Sequence, residues 1–195
     1  MSGLPSATPA RDAAAGTKPV PRTVHDMRTR RAHRAAVARA LLQGPAEPAS
    51  SAAIDWGQLA DLPAWCLWPD APRLRLVRVV GALFAAPGMR LWIDGRRLAI
   101  ARTLIGTGTL ARVMACPSLP TQAPAVPPAG DLQRLFDGAG RAVLLGSLDE
   151  AWMRGVAAPL LPPADARTAL CPPPIARPLV AQALALLAEI PAEAT

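Results

Sequence analysis

Between Pro72 and Pro87 the chain reads RLRLVRVVGALFAA, and this stretch limits the fold more than any other. On a helical wheel Leu74, Leu76, Val77, Val79, Val80, Leu83 and Phe84 point in nearly every direction. Arg75 and Arg78 mark only a narrow wet side. A helix apolar almost all round has to be surrounded by other elements. Asp70 is placed to cap it, Pro72 is tolerated in its first turn, and Pro87-Gly88 is expected to end it.

The flanking segments supply candidates for the surrounding layer. Asp94 is the next capping residue, and from Arg96 onward Leu98, Ala101, Leu104 and Ile105 share one face at helical period. Thr109–Ala115 adds further turns. Later segments predict a short helix over Asp131–Asp137 stopped by Gly138, then a strand-like piece, Arg141–Leu145. A helix follows from Ser147, where Ser147 and Glu150 read as a capping box, with Leu148, Trp152, Gly155 and Val156 facing inward. Pro-rich turns at 159–163 and 172–174 precede a last helix, Pro178–Ile190. The pattern predicts an all-α, compact bundle of about six to eight short helices over residues 54–190. A proline-rich loop at 117–130 is its clearest internal boundary. With no tyrosine and two phenylalanines, the tryptophans, among them Trp56, Trp65 and Trp68, are expected to provide the aromatic packing.

Residues 1–53 have a different character. Pro, Ala and Gly dominate 1–22, which is expected to be disordered. Thr23–Gln43 reads as one helix whose weak apolar stripe is interrupted by Arg31 and Arg34. Residues 1–43 hold eight basic side chains against Asp12 and Asp26, so this arm carries most of the net charge of +7. Such an arm suits nucleic acid, an anionic membrane surface or an acidic protein. Twenty of the 21 basic residues are arginine, which a GC-rich genome explains as well as phosphate binding does.

Each motif that could carry chemistry also has a structural reading. Gly106-Thr107-Gly108-Thr109-Leu110-Ala111 fits the dinucleotide pattern G-x-G-x-x-G/A, but the residues before it have helical and not strand period. A helix–Gly–helix corner is the favoured reading. Lys18 is the only lysine, so no phosphate-loop lysine is available in the body. Cys66, Cys116 and Cys171 form no C-x-x-C pair, and His25 and His33 lie in the arm. That spacing favours inert thiols in a reducing compartment over a disulfide framework, a zinc site or a Cys-His nucleophile. The expectation is a protein with no cofactor and no enzymatic activity. The N-terminus lacks an apolar signal core, which leads us to expect a soluble, cytoplasmic, bacterial protein.

Residues 61–115 carry an ordered series of features: Leu62-Pro63-Ala64-Trp65, a Leu/Arg-rich helix containing Gly81, an Ile93-Asp94-Gly95 step, and a helix leading to Ile105-Gly106. In this series the chain resembles the K subunit of bacterial type III secretion systems (the SctK/YscK family). Where many members of that family continue after Ile-Gly as acidic helix, this chain has Gly108 and Thr109. The resemblance implies a non-enzymatic adaptor of the cytoplasmic sorting platform, involved in protein transport and virulence. Its implied partners are the inner-membrane ring protein and the C-ring-like Q subunit, in assemblies with the stator-like L subunit and the ATPase. It implies structural roles for Leu62, Pro63, Trp65, Gly81, Ile93, Asp94, Gly95 and Gly106. Arg75, Arg78, Arg90, Arg96 and Arg97 are the candidate surface for an acidic partner. The alternative is a small nucleic-acid-binding or regulatory protein acting through the Arg28–Arg39 helix, whose binding would be salt-sensitive.

Overall fold

The computed structural model describes residues 61–92, 94–117, 131–163 and 169–189, together with Arg31, Ala32 and Ala35, which are helical and exposed. Trp56, most of the Thr23–Gln43 helix and nearly all of the proline-rich loop lie outside the described residues. The described part of the body is all-α, with six α-helices and no strand. These are α1 (Asp70–Met89), α2 (Gly95–Ile105), α3 (Thr107–Ala115), α4 (Leu132–Gly146), α5 (Ala151–Ala157) and α6 (Pro173–Glu189). Two 3-10 turns, Ala64–Leu67 and Ala158–Leu160, complete it.

Helix α1 is the central element its composition requires. Leu76, Val77, Val79, Val80 and Met89 are fully buried. Its main neighbour is α4, and α6 packs against both. The axes of α1 and α4 approach closely because glycines on each face the other's backbone. A Cβ on Gly81 would lie 2.1 Å from the carbonyl oxygen of Phe136. A Cβ on Gly140 would lie 2.0 Å from that of Val77. Tight interior packing leaves no room for such an atom. Around this crossing Phe136, Leu132 and Leu144 fill the core. Of the tryptophans, Trp65 is core and Trp92 is buried, while Trp68 and Trp152 are half-buried. Among the described residues the largest fully buried side chain is Phe136.

Several sequence expectations are corrected. Arg141–Leu145 is not a strand: α4 runs unbroken through Gly138 to Gly146, and Val143, Leu144 and Leu145 are buried along it. Glycine disfavours a helix by about 1 kcal/mol per residue. Packing of α4 on α1 offsets that cost, and at Gly140 it requires the glycine. Ser147 does not open a helix. Its N–H donates to the Val143 carbonyl (2.9 Å) and its Oγ to that of Leu144 (2.7 Å), so it closes α4. Helix α5 starts after an extended Glu150 that makes no side-chain cap, and Gly155 is exposed. Pro87 does not end α1, which continues to Met89. Asp70 is the first helical residue and not the cap, and its carboxylate pairs with Arg73. Helix α6 starts at Pro173, five residues before the expected Pro178. Prolines in a first turn need no N–H partner. There the Ile175 and Ala176 N–H groups donate to the Pro172 carbonyl at 3.0 and 2.9 Å.

Candidate partner-binding surface

Most of the described residues of the 61–115 series occupy bends and crossings. Leu62 and Trp65 are 3% and 2% exposed, and Pro63 leads the first 3-10 turn, so the LPAW step plugs the segment into the core. Gly81 is the α1–α4 contact described above. Asp94 caps α2 as the sequence predicts, its Oδ1 accepting from the Arg96 N–H at 2.9 Å. Gly95 is the first residue of α2, and a Cβ there would meet nothing within 4 Å. Ile93 lies outside the described residues.

Gly106 adopts φ +85°, a backbone region that favours glycine, and turns the chain from α2 into α3 at 112°. The glycine motif therefore follows a helix. Gly106 makes the corner, while Gly108 lies inside α3, where a Cβ would meet nothing within 4 Å. No single helix among the described residues is long and apolar enough to cross a membrane. Among the described residues there is no group of three or more His, Cys, Asp or Glu side chains arranged to hold a metal ion.

Cys66 and Cys171 are buried and Cys116 is half-buried. Burial pushes the Cys66 thiol up to about 12, while the nearby Arg73 guanidinium pulls it in the opposite direction. Burial also raises the Cys171 thiol.

The five arginines proposed from sequence do not act as one set. Arg78 reaches Asp137 on α4 at 3.2 Å, with both side chains largely buried. Arg90 donates to the Met114 carbonyl at 3.2 Å and to that of Cys116, tying the end of α1 to the end of α3. Arg97 lies 3.7 Å from Asp94, its own neighbour in the first turn. Arg75 is half-buried and Arg96 is exposed, and neither side chain has a partner among the described residues.

Sequence reasoning overlooked the arginines that hold backbone carbonyls of the 3-10 turns and the connections between helices. Arg73, 9% exposed, donates through Nε to Leu160 at 2.8 Å and through Nη1 to Trp68 at 2.6 Å. Arg141 donates from Nη1 to the carbonyls of Ala158, Leu161 and Pro162 at 2.7, 3.2 and 2.8 Å. Arg154 donates to Leu148 and Asp149 at 2.7 and 3.2 Å. A guanidinium carries five donors in a fixed fork, which suits orphaned carbonyls at turn ends. The one local clue is their placement among apolar neighbours, where a solvated charge is unexpected.

Comparison with family models, with curated protein sequences and with solved structures finds no match to this chain.

Proposed function

We propose that this chain is a non-enzymatic adaptor of the cytoplasmic sorting platform of a bacterial type III secretion system. In this reading it sits at the inner-membrane base of the apparatus and links the ring protein to the C-ring-like Q subunit. It needs no cofactor there. One observation supports the reading above others. The LPAW step, Gly81, Asp94 and Gly106 of the 61–115 pattern hold a core plug, a helix crossing, a cap and a 112° corner. A pattern made of packing residues suits a protein whose task is to present surfaces. Deleting the gene is expected to abolish effector secretion, and the tagged chain is expected to co-purify with the Q subunit. Secretion that survives the deletion would falsify this reading.

A further inference from the structure

This body uses most of its arginines internally, on carbonyl groups or carboxylates of neighbouring segments. Helix α2 departs from that pattern. Arg96 and Arg102 are exposed, and neither side chain has a partner among the described residues. With Ala99 they form one i, i+3, i+6 row, about 9 Å from end to end along the helix. Ala99 and Thr103 on this face are also exposed. From Gly95 to Ala115 the chain contains no carboxylate, and Asp94 is already engaged by the Arg96 N–H and by Arg97. No carboxylate within the 95–115 segment itself opposes the positive charge of the row. On the turn leading into α2, Leu91 is 77% exposed, far more than any other large apolar side chain described in the body except Leu170.

We infer that the exposed face of α2, with Leu91 at its root, docks an acidic amphipathic helix of another protein. Carboxylates about two turns apart on such a helix meet Arg96 and Arg102 in charge-assisted, two-pronged hydrogen bonds. Ala99, with only a methyl group between them, lets the partner backbone come close. An apolar side chain of the partner covers Leu91 and keeps water from the contact. Two guanidinium groups without a partner among the described residues are few for a nucleic acid, whose binding scales with the number of phosphates neutralised. A bilayer would call for a broad apolar face, and Ala99 and Thr103 do not provide one. This inference does not depend on the secretion reading, because it states the chemistry of the partner and not its machine.

The test places a photo-crosslinking amino acid at Ala99 in the full chain, expressed in its own cells, and at exposed Ala181 on α6 as the control position. The expected result is a protein adduct at Ala99, mapped to a segment with more Asp and Glu than Lys and Arg. Its yield should fall at least about tenfold in the Arg96→Glu/Arg102→Glu variant, because reversing charges across an interface lowers both encounter and retention. Arg134→Glu, a charge reversal at an exposed α4 arginine, should leave the yield unchanged. Leu91→Ala should lower it severalfold. Thermal unfolding of each purified variant checks that the body is intact. A nucleic-acid or lipid adduct, a protein adduct indifferent to arginine reversal, or no adduct above that at Ala181 overturns the inference.

Discussion

At the scale of single residues, the glycines divide into two kinds that the sequence alone does not distinguish. Gly81→Ala and Gly140→Ala would each drive a methyl group into a facing backbone carbonyl. Each is expected to lose about 2–3 kcal/mol in urea unfolding, or to prevent folding. Gly155 sits in α5 with no atom within 4 Å of the added carbon. Gly155→Ala should therefore gain up to about 1 kcal/mol by the same measurement. The thiols give a second residue-scale prediction. Cys66 is held protonated in the folded chain, with burial raising it from 9.0 to about 12. The unfolded chain ionises first as pH rises, so the contribution of Cys66 is fully present below pH 9 and is lost between 9 and about 12. Urea unfolding across that range should show the decline, and Cys66→Ala should reduce it to the part that Cys171 contributes. Under native conditions a thiol reagent should label Cys116 first and reach Cys66 and Cys171 only as the body opens. The positions of Gly81 and Cys66 were legible in the sequence. Their reasons were not, because each depends on how distant segments pack around it.

At the scale of elements, caps and turns were legible wherever the local chain alone decides them. Asp94 is the clearest case, and Asp94→Ala should cost about 1 kcal/mol while Asp94→Asn retains most of the cap. The 141–145 segment is the opposite case. Its Arg-Ala-Val-Leu-Leu run suits a buried strand or a buried helix equally well, and Gly138 reads locally as a stop. Contact with α1 decides for helix. The same holds at Ser147, whose hydroxyl is a cap for whichever helix reaches it first. Here α4 does, since its end is fixed by the strap that follows α5. The Cys171 N–H donates to the Ala142 carbonyl at 3.2 Å, and a Cβ on Gly146 would lie 2.0 Å from the Cys171 carbonyl oxygen. The carbonyl-holding arginines belong to this scale too. Arg141→Ala removes the guanidinium from three carbonyls of the 158–162 segment and leaves Ala158 with only the Leu161 N–H among the described residues. A loss of about 2–3 kcal/mol is expected, since hydrogen bonds to charged groups are stronger than neutral ones. Arg141→Lys should recover only part of it, because an ammonium lacks the planar fork.

At the scale of the whole molecule, the hydrophobic core of the described residues runs from Leu62 to Leu186. Removing residues 1–53 should therefore leave the unfolding temperature of the body within a few degrees of the full chain by calorimetry. A large drop would show that the arm completes the core. Residues 1–43 carry most of the net charge. If the α2 face binds an acidic helix, truncation of the arm should also leave the Ala99 adduct in place. What the sequence determined by itself was the class of fold, since a stretch as apolar as 73–86 forces a central helix that other helices must cover. It also determined the local stops and starts that depend on few residues, such as the Asp94 cap and the Gly106 corner. Only the tertiary structure decided that 141–145 is helix, that Gly81 and Gly140 face opposing backbones, and which arginines are paired among the described residues. Arg78 and Arg90 look as available as Arg96 on a helical wheel. They differ because Asp137 and the end of α3 come to meet them, and helical period says nothing about what a later segment brings alongside.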